Sequence, residues 1–396
     1  MLTCEEIRRK AEELQNRLIE IRRHLHRNPE VAFNEVKTGE YVYEQIKSLN
    51  LEVRKNVGGT GVVALLRGRE PGKTAAIRAD MDALPLQDKK DVTYASLNDG
   101  VCHACGHDAH MAMLIGTAHL LSEKREEFAG QVKFIFQPAE EKPPGGARLM
   151  VREGVLDNPP VDCLLGIHSF PYLPAGTVGI KKGELMAAAD TFKLTILGRG
   201  GHGASPHQAV DAVVISSQVI QSLQLISSRM VDPTESLVIS IGTIRGGQGY
   251  NIIAEKVEME GTVRTLTPGL RSEMKNIIEN VVKGVTSAFY AGYELEYNNN
   301  YPVLVNDDRI INTVQEASLE MLGEQGVNIM KKPMMGSEDF ACYLERVPGA
   351  FFFLGTQPEK REEIYPWHHP KFDINEKALA VGTGILSWTV LKLLSK

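Results

Sequence analysis

The chain has 396 residues, 44 basic against 50 acidic side chains, a formal charge of −6, and a composition that is 43% hydrophobic, 24% charged and 6% aromatic. A chain of that length and balance is an ordinary globular protein of two or three domains, which excludes disorder, collagen and coiled coil. No lysine/arginine stripe supplies the phosphate-neutralising charge that nucleic acid requires, so no nucleic-acid partner is expected.

The opening stretch MLTCEEIRRKAEEL is charged from its fifth residue and has no apolar signal core, so the mature chain is expected to start near Met1. Five cysteines (Cys4, Cys102, Cys105, Cys163, Cys342), an odd number without a signal, suit a reducing, cytoplasmic setting in which they are thiols or ligands.

Taken in chain order, Ile7, Ala11, Leu14, Leu18, Ile21 and Leu25 recur every three or four residues and predict an amphipathic helix over 4–27, with a second over 36–49. The short apolar runs 61–67 and 73–80 read as buried strands. A helix over 110–128, the strand QVKFIF, a turn with Pro143, Pro144, Gly145 and Gly146, a short helix to Glu153 and the apolar run ending at His168 follow. Strands alternating with helices imply an α/β fold with a parallel or mixed sheet. Residues 187–299 differ: their order is βαββαβ, the split-βαβ pattern of a small ferredoxin-like domain complete in itself. The strand AFFFLG and the helix after Asn375 resume the first style. The expected organisation is therefore a discontinuous catalytic domain, 1–186 and 300–396, carrying an inserted domain, 187–299. The apolar stretch 378–391, interrupted by Gly382, Gly384 and Ser387, is too short for a bilayer span and reads as a packing helix, so no membrane partner is expected.

The histidines cluster in GVCHACGHDAHMAM (His103, His107, His110) and PWHHPKF (His368, His369), while His168 closes an apolar run. Cys105, His107 and Asp108 are ligand types that a borderline divalent ion accepts, although a capped surface turn has the same composition. Cys102 and Cys105 also form a C-x-x-C, the signature of a dithiol oxidoreductase, but one sitting in a His/Asp-rich run of a long chain. Glu140 and Glu141 follow a strand, where adjacent side chains diverge: one carboxylate can hold a metal while its neighbour faces a bound water. Asp80, Asp82, Glu140, Glu141 and His168 all fall at carboxyl ends of apparent strands, the edge where open α/β sheets bind ligands. Cys105, His107, one of the glutamates, His168 and a C-terminal histidine make about five ligands, enough for two ions sharing a thiolate. Two ions about 3.5–4 Å apart activate a water and polarise a carbonyl, so hydrolysis is the chemistry expected.

In the inserted domain His202 lies in a glycine-rich turn, Asn251 in GYNIIAEK and Arg264 on a strand, where it could clamp a carboxylate. Each also reads as a turn or surface residue. In MGSEDF, Ser337, Glu338 and Asp339 read as a helix cap near the site.

RADMDALP, HACGHDAH, FQPAEE, GIH, GGHGASPH, EGTVRT, GSEDF and HHPKF occur in one order along nearly the whole chain, and by them the sequence resembles the M20 metallopeptidase family, in its amidohydrolase branch of aminoacylases, hippurate hydrolases and auxin-conjugate hydrolases. The resemblance implies that Cys105 bridges two divalent ions (Mn, Zn, Co or Ni), that His107, Glu141, His168 and His368 complete the ligands, and that Glu140 is the general base. His368 is preferred to His369 because it matches the family's H-x-P. The resemblance further implies a homodimer in which the inserted domain is lid and dimer surface, His202 reaches a neighbouring subunit's site to stabilise the oxyanion, and Asn251 and Arg264 hold substrate. NIIAEK stands where the family more usually has Asn-Val-Ile-Pro, so a differently shaped loop is expected around Asn251. The implied substrate is an N-acyl-amino acid, N-acetyl, N-benzoyl or similar; the alternatives are a deacetylase dedicated to one biosynthetic intermediate and a dipeptidase.

Overall fold

The structure, a computed structural model, describes residues 2–360 and 364–395. From the N-terminus run α1 (Cys4–Glu13), α2 (Gln15–Arg27), α3 (Val36–Ile46), β1 (Glu52–Val57), β2 (Gly61–Arg67), β3 (Thr74–Asp80), α4 (His107–Glu123), β4 (Gln131–Gln137), α5 (Gly146–Arg152), β5 (Cys163–Phe170), β6 (Val178–Ile180) and β7 (Gly183–Met186). Next come β8 (Ala188–Leu197), β9 (Gly201–His202), α6 (Ala212–Leu225), β10 (Leu237–Gly246), β11 (Ile252–Ile253), β12 (Lys256–Thr265), α7 (Pro268–Ala288) and β13 (Gly292–Tyr301). The chain returns through β14 (Leu304–Asn306), α8 (Asp308–Leu322), β15 (Val327–Ile329), α9 (Ala341–Leu344), β16 (Gly349–Gly355) and α10 (Ala378–Ser395).

Two compact units result. The larger comprises Met1–Leu185, Val305–Lys332 and Asp339–Lys396; the inserted unit comprises Met186–Leu304 and Pro333–Glu338. The sequence reading placed everything after residue 299 in the larger part. Residues 333–338 instead go with the inserted unit, because Ala187 N donates to Met334 O at 3.0 Å and to Gly336 O at 2.9 Å.

The larger unit is built on one eight-stranded sheet, order β1-β2-β4-β3-β5-β16-β6-β15. It is mixed: β3 runs parallel to β4 and β5, β5 parallel to β16, while β1, β2 and β4 are joined antiparallel. Every residue of β3 and of β16 is buried, the mark of central strands covered on both faces. α4 and α10 supply much of that cover. α4 is buried almost throughout, which explains why its sequence shows little polar face. α10 spans 18 residues and is long and apolar enough to cross a membrane by length and composition, yet 72% of it is buried; it is a core helix.

The expected helix over 4–27 is two, divided at Leu14; apolar spacing cannot register the break because both halves turn Ile7, Ala11, Leu18, Ile21 and Leu25 to the same core. α4 starts three residues earlier than its periodicity suggests, behind Gly106 at φ +92°, so His107 and His110 occupy its first turn. The inserted unit forms a four-stranded antiparallel sheet, order β10-β12-β8-β13. With α6 and α7 this is the βαββαβ arrangement expected. Phe192, Leu194 and Ile196 alternate inward from β8 and meet Val219, Leu223, Met274, Ile278 and Val282 from the helices.

Gly166, in the middle of β5, lies where a Cβ would stand 2.5 Å from Phe351 and 2.8 Å from Phe340. Gly166→Ala should destabilise by about 1–3 kcal/mol through overpacking, measured as a lower urea midpoint at unchanged slope; an unmoved midpoint would refute this packing account.

Candidate metal centre

Because β3, β4 and β5 are parallel neighbours, their carboxyl ends share one edge of the sheet. Asp80 ends β3 and Asp82 lies two residues on; Glu140 and Glu141 follow β4; His168 is near the end of β5. α4 begins at that edge with Cys105 just before it, and His368 arrives from the C-terminal loop. Its N–H donates to Ala104 O at 2.8 Å, and Trp367 Nε1 donates to Ser169 O at 3.1 Å.

The hydrogen bonds of the imidazoles decide which nitrogens are free to bind a cation, since a ring nitrogen spent as donor leaves only its partner available. His107 Nδ1 donates to Asp82 O at 2.8 Å, and its Nε2 is buried without a hydrogen bond among the described residues. His168 Nδ1 donates to Ser169 O at 2.8 Å, which leaves Nε2 pointing at Cys105 Sγ, 3.4 Å away. His110 is different. Its Nδ1 donates to Asp80 Oδ1 at 2.6 Å and its Nε2 accepts the Ser169 N–H at 2.8 Å, so no lone pair remains for a cation. Glu141 Oε1 is likewise buried without a hydrogen bond, 3.2 Å from His368 Nε2 and 3.9 Å from His107 Nε2. Cys105, His107 and Glu141 bring ligand atoms within 4.8 Å of one another. Of the two C-terminal histidines the structure brings His368 to the site; His369 stacks on Tyr365 and accepts the Lys371 N–H.

Electrostatically this edge is short of positive charge. Burial, then Glu141, Glu140 and Asp80, hold the Cys105 thiol well above the ordinary thiol range. Burial opposes protonation of His107, but Asp80, Asp82 and Glu141 outweigh it and push the imidazole up to about 10. Burial, with His110 and His107, holds His168 well below the usual range and so neutral. Two orphaned buried atoms, a thiol and a neutral imidazole facing each other, and a surplus of carboxylate form a donor set that fits borderline divalent ions, which would displace the protons of His107 and Cys105.

Around these groups stands a second set that orients them. Asp82 accepts the Glu140 and Glu141 N–H groups, each at 3.0 Å. Arg78, buried, donates to Asp80 and to Asp339, each at 2.8 Å, and to Gln137. Asp339 brings a carboxylate oxygen within 4.8 Å of one from Glu140. This corrects the reading of Asp339 as a helix cap: α9 has no side-chain cap, and the carboxylate instead accepts Arg78, Gln137 Nε2 and Ala147 N. Burial pushes Asp339 up to about 6. Spacing also missed Arg22 and His26, which hold Asp108 at 2.7 and 2.6 Å. Their signal was faint: a polar i, i+4 pair on the buried side of an amphipathic helix. The dithiol reading fails on burial, since Cys102 and Cys105 are free buried thiols and burial pushes Cys102 up to about 11, whereas a redox pair needs an accessible thiolate.

In the inserted unit, β9 and β11 pair His202 with Ile252, and the Gly203 N–H donates to Asn251 O at 2.8 Å, so NIIAEK keeps Asn251 beside His202. Both side chains are exposed. Arg264 on β12 is half-buried, donates to Thr262 Oγ1, and has no carboxylate ion pair among the described residues.

The raised His107 has a thermodynamic consequence for chelator-stripped protein. With the folded pKa above the ordinary value near 6.5, its contribution to stability is fully present below about pH 6.5 and is lost as pH rises through about 10. Urea midpoints of the stripped protein should therefore fall across that window, and fall less in His107→Asn; parallel curves would refute it.

Comparison with known proteins agrees with this geometry. Residues 76–392 match the peptidase family M20/M25/M40. The chain is 46% identical over 308 residues to the N-acyl-L-amino acid amidohydrolase of Geobacillus stearothermophilus, covering 78% of this chain and 82% of that protein. It is 41% identical over 372 residues to N-acetylcysteine deacetylase of Bacillus subtilis (strain 168), covering 93% and 94%. Among solved structures, the Bacillus subtilis YXEP protein, a dinuclear metal-binding peptidase, superposes with a TM-score of 0.84 at 36% identity, over 97% of this chain and 99% of that one. The protein belongs to peptidase family M20/M25/M40 and is a hydrolase of amide bonds with a centre for divalent metal.

Proposed function

We propose that the protein hydrolyses the amide bond of N-acyl-amino acids, releasing a carboxylic acid and a free amino acid. The observation that carries this reading is the division of labour within one adjacent acid pair. Glu141 turns its unbonded Oε1 toward His107 and His368, while Glu140 lies beside Asp339, and Asp82 fixes both backbones. Cys105, His107, Glu141, His168 and His368 would hold the ions, with Mn, Zn, Co and Ni as candidates, and these would supply a water that ionises near neutral pH and a Lewis acid for the scissile carbonyl. Glu140 takes the proton of the attacking water and later returns it to the leaving amine, base and then acid in one turnover. His202 donates to the developing oxyanion. Arg264, half-buried and without a carboxylate ion pair among the described residues, clamps the amino-acid carboxylate, and Asn251 positions the amide.

A relative named for N-acetylcysteine deacetylation favours small acyl groups, so N-acetyl substrates come first in the test. The protein is stripped by chelator, given Mn, Zn, Co or Ni, and assayed for free amino acid on N-acetyl and N-benzoyl amino acids and on dipeptides. Metal-restored release from an acyl series is expected. Glu140→Gln should keep its metal and lose roughly 100-fold or more in kcat; release confined to dipeptides, or a near-normal kcat in that variant, would overturn the reading.

We also assign the inserted unit the surface of a homodimer. β10 is an edge strand of its sheet, and Val238 and Ile244 on it, with Val213, Val214 and Leu225 on α6, are large apolar side chains left exposed. Five free thiols support a reducing, cytoplasmic setting. Sedimentation should give a dimer that Ile244→Glu converts to monomer; a monomeric parent protein would refute the assignment.

A further inference from the structure

The turn that carries Glu140 and Glu141 is pinned at nearly every backbone donor. Asp82 accepts the N–H groups of residues 140 and 141, Asp339 accepts that of Ala147 at 3.0 Å, and Gly146 N closes on Ala139 O at 3.0 Å. At Gly146 a Cβ would stand 1.7 Å from Pro138 O, so the return of the chain tolerates no side chain. Gly145 N closes on Lys142 O at 3.1 Å, and the N–H of Ala139 goes to Glu35 Oε1 at 2.8 Å. Ala139 is the irregular residue of the turn: its φ is +52°, in the left-handed region that residues with a Cβ avoid. Asp82 grips the chain after that residue and does not fix its φ.

Glu35 has no other evident task. It lies just before α3, is fully buried, and spends its second oxygen on the Thr60 hydroxyl at 2.6 Å. Burial alone raises the cost of a carboxylate there, so an acid at this position calls for a bond that an apolar residue could not make. The bond it makes is to the residue preceding Glu140.

We propose that Glu35 is a positioning residue for the general base: by accepting the Ala139 N–H it holds Ala139 left-handed and so aims Glu140 at the reacting water while Glu141 faces the metal centre. This rests on the assignment of Glu140 as general base given above.

The test combines turnover with a readout that a merely structural role would not move. Glu35→Ala should lower kcat roughly 10- to 100-fold with KM and metal content little changed, the size expected for a base displaced by about an ångström. Glu35→Gln should stay within about threefold of the parent, because the amide oxygen still accepts Ala139 N–H while its NH2 donates to Thr60. Adding Ala139→Gly to Glu35→Ala should recover most of the lost kcat, since glycine adopts positive φ without a Cβ clash. Hydrogen exchange over residues 138–146 should rise roughly tenfold in Glu35→Ala and not in Glu35→Gln. Undiminished kcat in Glu35→Ala, or a loss that Ala139→Gly does not relieve, would overturn the proposal. If Glu35→Ala does not fold, Glu35→Asp, with its carboxylate drawn back by one methylene, takes its place in the same comparison. A parent protein that releases no amino acid from any acyl substrate would defeat the functional reading instead; unchanged exchange over 138–146 in Glu35→Ala would defeat the clamp regardless of turnover.

Discussion

Everything at the metal centre depends on burying a large number of ionisable groups at one sheet edge and pairing most of their charges with one another. An isolated buried charge costs several kcal/mol, so each must find a partner as the chain folds. Two buried guanidiniums do most of this. Arg22 binds Asp108 at 2.7 Å and Asp373 at 2.6 Å, joining the residue after His107 to the loop that follows His368. Arg78 binds Asp80 and Asp339, joining the end of β3 to the strand-to-helix segment before α9. Each arginine thus ties together pieces of chain that contribute to the centre from far apart in sequence. Removing Arg22 would leave Asp108 held by His26 alone, and removing Arg78 would take the guanidinium from the buried Asp339.

The same requirement explains which histidines keep a nitrogen free and which do not. His110 sits one turn from His107 on the same helix and looks identical in sequence. Its two nitrogens are consumed by Asp80 and by the Ser169 N–H, and those bonds also fix the start of α4 against β3 and β5. His107 and His168 donate to backbone carbonyls instead, which sets their tautomers and leaves Nε2 of each for the cation. A local hydrogen-bond choice leaves one histidine with both nitrogens occupied and two with a free Nε2.

The turn after β4 that carries Glu140 and Glu141 extends this logic from side chains to backbone. Three carboxylates, Glu35, Asp82 and Asp339, accept amides of a single short segment, and Gly146 lets the chain close on itself. Preorganising a turn in this way is settled during folding.

The sequence by itself determined a good deal. Strand runs such as TAAIRAD and QVKFIF, the βαββαβ order of the inserted unit, and the placing of Asp82, Glu140, Glu141 and His168 after or near the ends of strands follow from hydrophobic period and chain order, which are local properties. So does the ligand chemistry of Cys105 and His107, carried by residue type and spacing. The break at Leu14 and the grouping of 333–338 with the inserted unit had no such signal, because apolar spacing runs through the first and the second is set by backbone bonds between distant segments. Tertiary structure alone decided that Asp339 faces Arg78 instead of capping a helix, and that Glu35, 104 residues before Ala139, holds the turn. Each of those outcomes is a contact between residues far apart in the chain, and a partner that exists only after folding leaves no periodicity to read beforehand.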